Sequence, residues 1–299
     1  MKKTLIIGLT VLLGLFVVFT VMDKSDYALE KRLWRVQKDF TELSQDPQSA
    51  PAEQYASLAR RYRRLIEKYP DSRLVPMIYL QISRLYFMQE AYDRARDILQ
   101  ELKDRYPDRN ELQAEALLYI GNAYESEGDF SQAVKTYQKI QQRYPHTEWG
   151  IGMPLYLADV YLRAGKLDEH RQALENAAAY YRGIVADEGA DLGHQLRAYR
   201  SLVAAYLAQE KWNDAVSVLK NALFRYAKSE YLTPRSAGVL IRSIAQISVT
   251  RLENPDRAIG IYQEFIREHP DHPLSPTLKK LIAAMQQQGV TQNGLPEGE

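Results

Sequence analysis

The residues best equipped for chemistry lie near the C-terminus, in the run His269-Pro270-Asp271-His272-Pro273. Two imidazoles flanking a carboxylate are ligand types for zinc or another divalent metal, and would suit a metal-dependent enzyme or sensor. Two prolines make the run an irregular loop, and no further carboxylate at ligand spacing completes a metal set. A turn that closes a structural unit accounts for the same residues. The other histidines, His146, His170 and His194, are scattered. No H-E-x-x-H, G-x-S-x-G or G-x-x-x-x-G-K-[ST] occurs, and the glycines stand singly, which does not build a phosphate cradle. The chain has no cysteine, which removes thiolate nucleophiles, disulfides, cysteine zinc sites and lipidation through cysteine. Serine, histidine and aspartate are plentiful, but no spacing nominates a triad. The expectation is a protein that is not an enzyme, with no catalytic residue, cofactor or metal. The His269–His272 loop is the lesser alternative.

The basic run Arg60-Arg61-Tyr62-Arg63-Arg64 is the second candidate. On a helix, Arg60, Arg63 and Arg64 share a face, while Tyr62, Leu65 and Ile66 supply the apolar side. Such a face can meet lipid headgroups. More often it is solvated, its aliphatic stems covering apolar surface. The formal net charge of +1 creates no field that calls for nucleic acid or an acidic substrate. With 45% apolar and 26% charged residues, the chain has ample material for a folded core.

The elements that position these residues begin with an exception. Residues 4–22 carry no charge over 19 positions. As a helix they would span roughly 28 Å, close to the hydrocarbon thickness of a bilayer. Lys2 and Lys3 precede the run, so its N-terminus is expected to stay cytoplasmic and the remainder to be exported. The run ends Phe19-Thr20-Val21-Met22-Asp23 without a small-residue cleavage site, which favours an uncleaved anchor over a cleaved signal and secretion. Next, 27–44 reads as a helix. Leu29, Leu33, Val36, Phe40 and Leu43 step by 4, 3, 4 and 3, a coiled-coil seam. It either caps the following helix at about 52–68 or supports self-association through 29–43. Asp46 to Pro51 is turn-rich.

Beyond this the chain repeats itself with a period of 37 to 45 residues. Tyr69-Pro70, Tyr106-Pro107, Tyr144-Pro145, Tyr226-Ala227 and His269-Pro270 close units, with no such pair in the unit after Pro145. Ala95, Ala133, Ala215 and Ala258 align within them, with His170 in the third. Each unit reads as an amphipathic helix, a turn such as Gly128-Asp129 or Gly165-Lys166, a second helix with a small residue at the point of close approach, and a stop. The third unit lacks its closing proline, so its second helix should run on to about Ala186. Tyr86, Tyr124, Tyr161 and Tyr206 recur at one position and read as packing between helices. Neither helix of a unit buries its stripe alone, so the fold class is all-α, a solenoid of stacked helix pairs.

The pattern resembles the tetratricopeptide repeat. Leu117, Ile120, Gly121, Tyr124, Ala133, Tyr137 and Pro145 occupy its signature positions; Tyr79, Ile82, Tyr86, Ala95, Leu99 and Pro107 do so one unit earlier. Tyr199, Leu202, Tyr206, Ala215, Leu219 and Ala222 do so later. Most units exceed the family's length of about 34 residues. The fifth has Gln246 and Val249 where glycine and tyrosine are usual. Longer units closing in Tyr-Pro look like bacterial envelope proteins of this family, the BamD-like outer-membrane assembly lipoproteins and the Tol-Pal-associated repeat proteins. The missing lipidated cysteine is a departure from the former. The resemblance implies a right-handed solenoid over 51–288 of five to six helix pairs. The residue pattern itself places before it an anchor (1–24) and a juxtamembrane helix and linker (25–50), and after it a polar tail expected to be disordered at 289–299.

It also implies a concave groove lined by first helices, which binds proteins or peptides. The groove positions carried over are Arg84, Phe87 and Met88; Leu118, Asn122 and Glu125; Leu155, Asp159, Leu162 and Arg163; and Arg197, Arg200 and Leu207. Arg84, Arg163, Arg197 and Arg200 would clamp partner carboxylates, unless they pair with Glu125 and Asp159 on a solvated face. The expected role is a membrane-anchored scaffold in the cell envelope with protein partners. A structural subunit of a larger envelope complex, held by its anchor and edges, is the alternative.

Overall fold

The structure, a computed structural model, describes residues 25–47, 49–187, 189–227 and 233–292. The apolar run at 4–22 lies outside them. No helix among the described residues is long and apolar enough to cross a membrane. These residues form thirteen helices and no strand. The chain divides into two compact units, 1–150 and 151–299.

The first unit contains α1 (Asp26–Gln45), α2 (Ala52–Lys68), α3 (Val75–Met88), α4 (Tyr92–Arg105), α5 (Asn110–Ser126) and α6 (Phe130–Arg143). Helix α7 (Glu148–Arg163) spans the division. The second unit continues with α8 (Leu167–Ala186), α9 (Leu192–Ala208), α10 (Trp212–Arg225), α11 (Pro234–Thr250), α12 (Pro255–Glu268) and α13 (Ser275–Gln292). Within each unit consecutive helices pack neighbour on neighbour, and α3 also touches α5, the first helix of the next pair. This is the solenoid arrangement expected when no single pair can bury its own stripe.

Helix α1 opens with Ser25, whose side chain accepts from the Ala28 N–H at 3.2 Å. Its five seam residues, Leu29, Leu33, Val36, Phe40 and Leu43, are all buried, and α1 packs on α2. Arg61 pairs with Asp39, and the Tyr62 hydroxyl reaches Gln37 at 3.3 Å. The seam is therefore consumed inside the chain as a cap, which corrects the reading of 29–43 as a self-association surface. The basic run on α2 is largely engaged. Arg60 pairs with Glu53 at 2.6 Å, Arg63 with Glu101 at 3.2 Å, and Arg61 with Asp39 as above.

The repeat grammar has a clear physical basis. Ala95, Ala133, Ala215 and Ala258 are fully buried where the two helices of a pair meet. In the third pair His170 is half-buried, and its Nδ1 lies 2.7 Å from the Ala158 carbonyl, so an imidazole hydrogen bond stands in for alanine packing. Helix α8 does run to Ala186. The turns inside the pairs share one left-handed position, occupied by Glu90, Gly128, Gly165, Glu210 and Glu253. After each of the first four, the next N–H closes on the recurring tyrosine's carbonyl at 2.9 Å: Ala91 to Tyr86, Asp129 to Tyr124, Lys166 to Tyr161, Lys211 to Tyr206. Tyr69, Tyr106, Tyr144, Tyr226 and His269 cap the second helices of their pairs.

Two departures stand out. In the fifth pair the turn is one residue longer, with Asn254 N–H bonded to Ser248 O at 2.8 Å. Ser248 is buried and Val249 is 45% exposed, so the helix presents serine inward where tyrosine was the pattern. At the C-terminus, α13 continues to Gln292, past the expected start of a disordered tail at 289. Residues 293–299 lie outside the described residues.

Candidate partner-binding cleft

The residues carried over as groove positions behave differently in the two units. In the first, Arg84 is exposed, and Phe87 and Met88 are half-buried, Phe87 edge-on to Tyr92 at 5.7 Å. Leu118 is only 7% exposed and belongs to the core rather than to a surface. Asn122 Oδ1 and Glu125 Oε2 lie 2.8 and 3.0 Å from the Tyr137 hydroxyl and share its one proton. Part of their capacity is thus used in holding α6 against α5.

In the second unit, Leu155 is half-buried against the core. Asp159 and Arg163 form an ion pair one helical turn apart, and Arg163 also stacks over Tyr156 at 5.4 Å. That is the self-paired arrangement weighed against partner binding. Leu162 is 46% exposed. Arg197 and Arg200 are both exposed, and Leu207 is half-buried.

Of these, Arg200 and Leu207 line a cleft of about 650 Å³ bounded by α9, α10 and α11. Leu196, Tyr199, Val203 and Leu207 from α9 form one wall. Val218, Leu219 and Ala222 from α10 form the base, with Tyr226 just beyond. The other wall is Arg235, Ser236, Val239, Leu240 and Ser243 from α11. The lining is mostly apolar, and Val239 is 52% exposed, a high value for a valine beside other apolar groups.

The base is rigid. Tyr199 and Tyr226 meet edge to face at 5.6 Å, and the Tyr226 hydroxyl donates to Gln195 Oε1 at 3.2 Å. Burial, with Tyr199 beside it, pushes the Tyr226 phenol pKa up, so the hydroxyl stays a neutral donor. Arg200 and Arg235 are exposed and, among the described residues, neither makes an ion pair. The cleft therefore combines an apolar floor with two available guanidinium groups. It can take apolar side chains of a peptide and fix a nearby carboxylate bidentately.

The α11 wall was missed from sequence because the fifth unit departs from the repeat pattern at Gln246 and Val249. A signal did exist. Arg235, Val239 and Ser243 recur every four residues beside the core stripe of Ala237, Ile241 and Ile244, an uncovered second stripe.

In the histidine loop, the His272 side chain is used inside the fold. His272 Nδ1 accepts from Leu274 N–H at 3.1 Å, and its Nε2 lies 2.8 Å from the Ala227 carbonyl. Both nitrogens are committed to backbone, with Nε2 the protonated one. The imidazole also packs edge-on to Phe265 at 5.2 Å. Among the described residues no group of three or more histidine or carboxylate side chains is arranged to hold a metal ion. The loop is a closing turn that ties the ends of α10 and α12 together.

Three segments, 78–109, 115–147 and 221–272, match the family model described as Tetratricopeptide repeat. No curated protein matches the chain. Among solved structures, BtubC (BKLC) from P. vanneervenii is similar at 14% identity, covering 91% of this chain and 95% of that one, with a TM-score of 0.40. A tetratricopeptide repeat protein from Parabacteroides merdae is similar at 9% identity, covering 89% and 95%, with a TM-score of 0.35. MamA protein shows 17% identity over 68% of this chain and 96% of that one, with a TM-score of 0.32. Scores this low carry no argument about shape. The family model, on helices α3 to α6 and α10 to α12, supports the tetratricopeptide repeat family for these parts of the chain.

Proposed function

We propose that this protein is a membrane-anchored, exported scaffold that binds a protein partner through the α9–α11 cleft. The observation that carries the reading is the juxtaposition of an apolar cleft of about 650 Å³ with Arg200 and Arg235 at its walls. The partner segment it suits is extended or helical, with one or two apolar side chains and an adjacent carboxylate. Apolar burial supplies the affinity, and the guanidinium groups fix register. Tetratricopeptide repeats in general mediate protein–protein interactions, so a binding role follows the fold. The anchor reading is supported by the uncharged run at 4–22 behind Lys2 and Lys3. The envelope location proposed here is supported by that uncharged run and by the Tyr-Pro closure of the repeats. No catalytic step is assigned to the chain.

The test is a titration of the purified protein with labelled peptides that place leucine or phenylalanine beside aspartate or a free C-terminus. The expected result is saturable binding that weakens about tenfold or more in Arg200→Glu with Arg235→Glu. Binding indifferent to that double change would remove the cleft as the site.

A further inference from the structure

Helix α1 has two faces. The buried one is spent on α2. The opposite one carries Tyr27, Lys31, Trp34 and Lys38, spaced by 4, 3 and 4 residues and all exposed. At 3.6 residues per turn these four fall within a sector of about 60°, directed away from the seam, and they extend over about 16 Å of helix. Arg35 lies at the margin of the same face and is also exposed. Tyr27 is 74% exposed and Trp34 68%, the two most exposed large hydrophobic side chains among the described residues.

The charges of α1 are sorted. Its acidic residues are drawn toward the array: Asp26 pairs with Arg73 at 3.3 Å, Glu30 with Arg73 at 3.8 Å, and Asp39 with Arg61. Only Glu42 stays on the outer side, 3.8 Å from Lys38. Lys31 and Arg35 make no ion pair among the described residues. The outer face thus joins two amphipathic aromatics to uncompensated cations. That combination belongs at the headgroup level of a bilayer, where indole and phenol rings rest and basic side chains meet anionic lipid.

Chain geometry points the same way. The uncharged run at 4–22 ends only three residues before the Ser25 cap of α1. We propose that the Tyr27–Lys31–Trp34 face of α1 lies on anionic lipid headgroups and holds the first unit against the membrane surface. The inference rests on the anchor reading for how α1 reaches the bilayer. Each of the two cations contributes to attraction, which falls away with salt.

The experiment uses the full chain with Trp149→Phe and Trp212→Phe, leaving Trp34 as the only indole. The protein is reconstituted into phosphatidylcholine vesicles with or without phosphatidylglycerol, each containing brominated lipid as quencher. Far-ultraviolet circular dichroism checks that the variants remain helical. Alkaline washing separately asks whether the chain is held as an anchor. The expected result is a blue-shifted, quenched Trp34 in the anionic vesicles, lost in Lys31→Glu with Arg35→Glu and in high salt, while the chain resists washing. A washing-resistant chain whose Trp34 emits as in water in both vesicles overturns the inference and leaves the anchor standing. Quenching of a chain that washes off supports the face and overturns the anchor. Solvent-like emission from a chain that washes off overturns both.

Discussion

Gly121 of α5 lies directly against the ring of Tyr137 on α6. A Cβ at Gly121 would come within 2.2 Å of Tyr137 Cε1. The ring cannot simply swing aside, because Tyr137 is fully buried and its hydroxyl is held by Asn122 and Glu125. Gly121→Ala is therefore expected to lower stability by about 1–3 kcal/mol through overpacking. Adding Tyr137→Leu should recover part of that loss by making room. Urea denaturation of Gly121→Ala, Tyr137→Leu and the double variant reads the result, and losses that simply add would refute the contact.

The left-handed turn position makes a prediction of opposite sign. Glu90, Glu210 and Glu253 have φ of 55°, 55° and 50°, where Gly128 and Gly165 stand in the other pairs. A side chain there costs about 1 kcal/mol, offset in part by the greater freedom of an unfolded glycine. Glu210→Gly is expected to raise the thermal midpoint, and Gly128→Glu to lower it. A fall in both would mean that the glutamate side chain makes a contact worth more than the strain.

Arg96 ties the end of α5 to α4. Its guanidinium donates to both carboxylate oxygens of Glu127, at 2.5 and 3.0 Å, and lies 4.5 Å from the centre of the Tyr124 ring. The Arg96 side chain is 15% exposed, so solvent screens the pair weakly. Arg96→Ala should cost about 2 kcal/mol. Arg96→Lys should recover little, because an ammonium offers neither the fork nor the flat face. Full rescue by lysine would show that charge alone matters there.

Glu115 links stability to pH. Burial, with Glu111 nearby, raises its pKa above the ordinary 4.5. A carboxyl whose folded pKa exceeds its unfolded one supports folding while protonated, and that support is lost as pH rises through the folded value. At neutral pH the penalty on the charged form is present in full. Glu115→Gln should raise the thermal midpoint at pH 7, with a gain that shrinks toward zero below the unfolded pKa. A gain that is constant across this range would point to packing instead.

Much of the fold was legible because the repeat enforces its own arithmetic. The buried alanines, the turns at Gly128 and Gly165, and the extension of α8 to Ala186 all follow from small residues, breakers and a missing proline. The fate of the α1 seam needed the structure, because a 4-3 spacing describes a buried stripe without saying what buries it. The cleft was half legible. Arg200 and Leu207 follow from repeat position, whereas Arg235 and Val239 sit where the longer turn at Glu253-Asn254 shifts the register. Leu118 shows the same limit, since a position that faces a groove in one repeat is core in another. His272 was ambiguous for a chemical reason: the same two nitrogens that ligate metals also satisfy backbone groups in a closing turn.

A protein partner seated in the α9–α11 cleft, as proposed, would lie against Val239. The most direct measurement places a photoreactive side chain at Val239 in the full-length protein and irradiates it in its own membrane. The expected result is a discrete adduct with one protein species that disappears when Arg200→Glu is added and persists with Arg64→Glu. No adduct at Val239, or an adduct indifferent to Arg200→Glu, would contradict it.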